Sequence, residues 1–273
     1  ERISQGISGG CVTCAVATGC RAEGHWCPAY VVYQGGLVAR IDQLDGYFFG
    51  GIEYVYSGGR CTGSVDIDVD SLSTSAYGGV RLSGGAELTF SGGFTASHYI
   101  QKRSVLGEIH HSSYKSRAWT AGAELAQNIT LSPAWSVRPF AGYRYTNLLV
   151  NGYREDSSGS YGLSYDGHRE QLHTADIGAS LTWKPARETY IGGKLFYRGN
   201  FGDTEAGTEA FFVNDPFENR FVSSGYALER SSLGLALKAG ITVDRAALSA
   251  GYTVLAGSES MNHAAGVDIQ LNW

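Results

Sequence analysis

The sequence holds no apolar run approaching the ~20 residues of a membrane-spanning helix, which excludes a helical membrane protein. Charged residues make up only 17% of its 273 positions, below the ~25% usual for a soluble domain. Proline is scarce, with 5 in all, so long uninterrupted strands are permitted. The net charge of −5 gives no basic footprint, and nucleic acid is not an expected partner. Methionine occurs once, as Met261, and no charged and apolar leader opens the chain. The expectation is a processed or excised piece, with further sequence ahead of Glu1.

Glycine (38 residues) and tyrosine (17) are abundant instead. That excess suits long strands joined by turns and does not suit a disordered chain, which would lack the aromatics. A mean hydropathy of −0.15 is what alternating strands average to. All five cysteines lie early, at Cys11, Cys14, Cys20, Cys27 and Cys61. No second C-x2-C pair and no His-x3-His follows them, so the spacing favours disulfides in an oxidising envelope over zinc. Cys20, Cys27 and Cys61 are the disulfide candidates, with Cys20 and Cys27 flanking one short loop.

Period-two alternation recurs along the chain. The last ten residues, 264–273, alternate apolar with polar or small residues and end on Trp273. Residues 86–100 set Leu88, Phe90 and Phe94 against Glu87, Thr89 and Thr95. Residues 117–129 set Trp119 and Leu125 against Glu124, and 135–149 set Val137, Tyr143 and Tyr145 against Arg138 and Arg144. The stretches 46–57, 171–183, 189–197 and 227–243 behave alike, and 29–40, 74–83 and 246–257 fit more loosely. That makes eleven strands. In nearly all of them the mid-strand charges share one face.

Three features put the apolar face outward, against lipid. Short links (41–45, 84–85, 131–134, 184–188, 244–245) interleave with long ones (58–73, 101–116, 150–170, 200–226). Tryptophans cluster at strand ends on the apolar face: Trp135, Trp183 and Trp273 at the short-link end, and Trp119 near the other. The strands often exceed the ~9–11 residues of a tilted membrane strand, where soluble sheets average ~5–6. The reading is an all-β fold, a transmembrane antiparallel β-barrel. An even strand count requires a twelfth strand ahead of Cys20, around 10–17, giving 12. The alternative readings of its role are a narrow pore or a structural or adhesive surface protein.

The segments 136–145 (SVRPFAGYRY) and 121–125 (AGAEL), with the terminal strand, resemble the translocator β-domain of autotransporters, the type V secretion proteins. The resemblance spans roughly 29–273 and is one of pattern. It implies a bacterial outer-membrane barrel with short periplasmic turns and long external loops. Such a barrel exports and anchors an N-terminal passenger at the cell surface and holds a linker in its lumen. The expected organisation is a Cys/Gly-rich segment at 1–28, with a possible first strand or lumen linker, and a barrel at 29–273. Gly266, Ile269, Leu271 and Trp273 resemble the signal read by the barrel-assembly machinery. Partners are then that machinery, outer-membrane lipid and an attached passenger.

Twelve charges have lumen parity: Glu53, Arg81, Glu87, Glu124, Arg138, Arg144, Asp176, Lys194, Arg198, Arg230, Lys238 and Asp268. They either pair with one another in a hydrated interior or grip a passing chain. Trp119, Trp135 and Trp183 are the expected aromatic girdle. Asp66, Asp68 and Asp70 lack the glycine and distal glutamate of an EF-hand loop and fit one solvated face of a hairpin. His98 and His173 have apolar-face parity, and Ser97 beside His98 faces the other way. No catalytic residue, metal site or cofactor is assigned, and an enzyme is not expected. The aromatic-rich stretch 200–226, with Phe211, Phe212, Phe217 and Phe221, either enters the barrel mouth or forms a protruding hairpin.

Overall fold

The computed structural model describes the backbone of residues 11–22, 25–26, 30–41, 46–61, 65–156, 161–243, 246–258 and 260–271, with side chains chiefly from Val65 onward. The alternating stretches form antiparallel strands. In chain order these are β1 (Cys11–Ala22), β2 (His25–Trp26), β3 (Tyr30–Ile41), β4 (Gly46–Cys61), β5 (Val65–Arg81) and β6 (Ala86–Val105). Then come β7 (Glu108–Gln127), β8 (Ile129–Thr130), β9 (Trp135–Val150), β10 (Tyr153–Arg154), β11 (Leu163–Tyr165) and β12 (His168–Ala186). The chain finishes with β13 (Thr189–Gly202), β14 (Glu205–Phe212), β15 (Phe221–Ala227), β16 (Ser231–Val243), β17 (Ala246–Ala256) and β18 (Met261–Leu271).

The long strands pair in a circuit. From β1 it runs through β3, β4, β5, β6, β7, β9, β12, β13, β16, β17 and β18, and β18 pairs back with β1. Each neighbour is antiparallel, so the ladder satisfies backbone donors and acceptors all round the wall. β1 covers the site expected for an added strand but runs on to Ala22, so Cys20 lies within it rather than in a loop. The cysteine side chains, and with them the expected disulfides, lie outside the described residues.

Two of the expected long external loops are corrected by the structure. The stretch 58–73 continues β4 to Cys61 and begins β5 at Val65. The stretch 101–116 is the outer part of the β6–β7 hairpin, closed by Leu106 and Gly107 at φ 50° and 89°. Positive φ at both central residues is the two-residue hairpin geometry that matches strand twist. These segments read as loops because they are polar. Beyond a lipid layer both strand faces meet water, so polarity no longer marks a loop. The other two long connections, in 150–170 and 200–226, carry a separate four-stranded sheet, β10-β11-β14-β15. The aromatic-rich stretch is therefore a hairpin, with Phe212 against Phe221 at 5.7 Å between ring centroids.

Burial is inverted relative to a soluble protein. Ile177 is 63% exposed, and Phe90, Leu125, Leu195, Leu235 and Val267 are exposed as well. Ser71, Ser116, Ser232 and Ser249 are buried on the opposite, inward face. Large exposed apolar residues on strand after strand form one continuous band, which only a lipid solvent tolerates. Inside, Ala126, Phe140 and Phe196 make a small apolar cluster. Phe196 lies across bare backbone: a Cβ on Gly234 would sit 2.1 Å from its ring, and one on Gly178 would sit 2.6 Å from its Cβ. Glycine at 234 makes room for the ring, and glycine at 178 makes room for the strand that carries it.

Two predictions follow from these faces. Arginine at Leu235, near the middle of the band, is expected to cost about 2–4 kcal/mol, whereas Ser91→Arg, on the inward face near Glu124, costs little. Denaturant titration of protein refolded into lipid measures both, and equal or reversed costs would reject the outward assignment. Gly234→Ala is expected to destabilise by about 1–3 kcal/mol through overpacking on Phe196. In the double variant with Phe196→Ala the two effects should be clearly non-additive, because the clash is gone. Additive costs would mean that the ring does not rest on Gly234.

Candidate functional site: the lumen and its mouth

Inward-facing positions recur every second residue on each wall strand, so charges far apart in sequence meet in the lumen. Arg138 on β9 reaches Glu124 on β7 at 2.9 Å and Glu87 on β6 at 3.5 Å. Arg198 on β13 binds Asp176 on β12 through two hydrogen bonds of 2.8 and 2.9 Å. Their register places them directly opposite each other. Lys194 lies over the rings of Phe140 and Phe196, at 4.0 and 5.3 Å from their centroids. This contact needs aromatic residues at lumen parity, a signal that a search for carboxylate partners misses.

Beside these pairs a cavity of about 240 Å³ opens on the inward face, lined in part by Tyr77, Ser91, Glu124, Arg144 and Asp176. Arg81 and Lys238 share the inward parity of their strands, and each has a partner of its own. Arg230 departs from the expectation. It lies just ahead of β16, is 78% exposed and approaches Glu205 at 3.8 Å, which puts it on the rim rather than in the lumen. Glu53 and Asp268 lie on β4 and β18, but their side chains are outside the described residues.

The mouth is built on the extended β6–β7 hairpin. Arg103 donates to both carboxylate oxygens of Glu155, at 2.7 and 2.5 Å, and the buried carboxylate also accepts from the Leu163 N–H. Rings stack from the hairpin into the second sheet: Tyr99 on Tyr114 at 4.6 Å, Tyr114 on Tyr153 at 4.2 Å, Tyr153 on Tyr165 at 4.6 Å. Burial pushes the Tyr114 phenol up to about 12, with Tyr99 and Tyr165 adding to the shift. Burial likewise raises Tyr153 and Tyr165. The hydrogen bond to Glu155 holds the Arg103 guanidinium above its ordinary value. Neutral phenols and a neutralised ion pair thus form a stable inner lining for this side of the mouth. Arg220 adds a second tie, to Asp166 and, at 3.2 Å, to Glu209.

Of the expected girdle, Trp135 and Trp183 stack at 5.7 Å at the short-turn end, and Trp119 packs on Phe94 at 4.4 Å at the other. Gly266 pairs with Gly251 and Val16. Ile269 and Leu271 lie on β18 with side chains outside the described residues, and Trp273 lies beyond them. The outward histidines are held by hydroxyls on neighbouring strands. His98 Nε2 is 2.8 Å from Ser113 Oγ, His173 Nδ1 pairs with Tyr143, and His263 Nδ1 is 2.6 Å from the Tyr252 hydroxyl. The Ser113 partner of His98 became visible only once the register of β6 and β7 was known.

The comparisons agree with this architecture. No curated protein matches the sequence. The translocator domain of the autotransporter NalP from Neisseria meningitidis superposes with a TM-score of 0.77 at 15% identity, over 100% of this chain and 90% of that one. The beta domain of the Bordetella autotransporter BrkA gives 0.63 at 14% identity, over 96% and 98%. The transport unit of the autotransporter AIDA-I from Escherichia coli gives 0.59 at 13%, over 100% and 92%. At such identities these likenesses carry the fold, and the sequence match carries the family. Residues 32–253 match the autotransporter beta-domain, so the chain belongs to that family of β-barrels of the Gram-negative outer membrane.

Proposed function

We propose that this barrel exports an N-terminal passenger and then anchors it at the cell surface, with the assembly machinery and membrane lipid as its other partners. The observation that carries the reading is an inward face made of small polar residues and charges already neutralised within the wall. Arg138 is shared by Glu87 and Glu124, and Arg198 is closed on Asp176. Such a surface is wetted yet offers little net charge to hold a passing chain. Arg144, beside the cavity, has no ion pair among the described residues and is the cation left to meet one. Residues 1–28 then join the passenger to the barrel of 29–273 and supply its closing strand, β1.

Assembly depends on the last strand. β18 pairs with both β17 and β1, so it is the strand that closes the circuit and removes two open edges. Gly266, Ile269, Leu271 and Trp273 are proposed as the features by which the assembly machinery recognises it.

A reporter peptide placed ahead of Glu1, behind an export signal, is expected to become protease-sensitive on intact cells. If it stays protected beside a folded barrel, the passenger role is rejected in favour of a free-standing pore or surface protein. Leu271→Asp, or deletion of Trp273, should leave the chain unfolded and abolish heat-modifiable gel mobility. Normal folded mobility in both variants would refute the recognition role of the terminal strand.

A further inference from the structure

We propose that Lys115, Arg117 and Arg169, on the outward face of the far rim, form a binding site for the phosphate groups of outer-leaflet lipid headgroups. All three side chains are exposed. Parity places them outside: Arg117 and Lys115 share their face with Trp119, Ala121 and Leu125 on β7. Arg169 shares its face with Ile177 and Trp183 on β12. Arg117 and Arg169 are each in register with Leu149 on β9, so the three residues form one row across three adjacent strands. At ~4.8 Å per strand spacing, the two guanidinium stems rise about 10 Å apart. Lys115 lies two residues further along β7, about 7 Å beyond Arg117.

The height of this row fits the headgroup layer. Trp119, two residues below Arg117, is 60% exposed, and its aromatic neighbour on β6 is Phe94. Tryptophan marks the boundary between hydrocarbon and headgroups. Cations one step above it stand where lipid phosphates lie, and their stems cover the last apolar surface, such as Leu149.

The segregation of charge argues against an ordinary solvated face. On β7 and β12 the carboxylates point inward: Glu108 toward His110, Glu124 to Arg138, Glu170 to His168 and Asp176 to Arg198. Among the described residues, none of the three outward cations has a carboxylate within ion-pair distance. Asp203, just past the end of β13, accepts a hydrogen bond from the Gln171 N–H. Lys102 stands apart, because Asp66 faces it across the β5–β6 pair, as Asp70 faces His98. Among the described residues, the outward cations of this rim without an ion pair lie in one sector, next to a membrane whose outer headgroups carry phosphate. Charge complementarity and continuity with the lipid-facing band both select the same occupant. The proposal rests on the outward assignment of the apolar face, which Leu235→Arg tests separately.

The test uses the full chain, folded in neutral detergent, with diphosphorylated glycolipid, its dephosphorylated form and inorganic phosphate as probes. Native mass spectrometry reads retained lipid, and heat-modifiable mobility confirms folding of every variant. Arg117→Ser with Arg169→Ser should weaken retention of the phosphorylated lipid roughly thirtyfold, from the usual contribution of two surface cations. Lys184→Ser with Arg187→Ser removes equal charge at the opposite end and should leave it unchanged. Equal retention by the first pair and the intact protein would overturn the proposal, as would equal retention of the dephosphorylated lipid. Displacement by inorganic phosphate at equal concentration would also overturn it, in favour of a free-anion site.

Discussion

Hydrocarbon offers no hydrogen-bond partner, and this one constraint organises the molecule. Every backbone donor and acceptor within the lipid layer must find its partner in the protein. Sheets meet that demand only by closing, so the pairing of β18 with β1 is as necessary as any pairing inside the wall. Closure in turn forces the side chains to alternate between lipid and lumen. Leu235 and Ser232, three residues apart on β16, therefore end in opposite solvents. Burial of apolar area, the main driving force in soluble domains, is confined here to a few inward residues such as Phe140 and Phe196.

The lumen follows from the same geometry. Alternation delivers a polar inward face, and antiparallel register decides which charges meet. Arg198 and Asp176 are directly opposite, and Arg138 reaches the next strand, β7, and the one beyond it, β6. In a hydrated interior these pairs contribute modest stability, but they remove net charge from the wall. Lys194 shows a second way to the same end, with its ammonium resting on two aromatic faces. Small residues matter as much as charged ones. Gly234 lets the Phe196 ring lie against the wall.

Much of this was legible in the sequence because parity is a local signal. The alternation of 86–100 or 171–183 needs no partner to be read, and the short links marked one end of the barrel. Three things were not legible. Polar strand extensions such as Asp66 to Asp70 resemble loops once both faces meet water. The second sheet joins β10 and β11 to β14 and β15, segments about forty residues apart whose pairing no local pattern announces. The rim position of Arg230 depends on where β16 begins, a matter of one or two residues at a strand end. The lumen residues were identifiable as a set, but their pairing had to wait for the register.

The wall is not level. β6 and β7 each run for 20 residues, while β17 and β18, across the circuit, run for 11. Both sides start from the same short-turn end, so the difference of nine residues appears wholly at the far end. At about 3.3 Å per residue along a tilted strand, it raises one side some 20 Å above the other. A polypeptide emerging from the channel meets a parapet on the β6–β7 side, braced by stacked tyrosines, and shorter strands on the β17–β18 side. The barrel has an axis of rough symmetry in the membrane, but its exit has a bearing. Whatever passes through it leaves beside a wall that stands high on one side and low on the other.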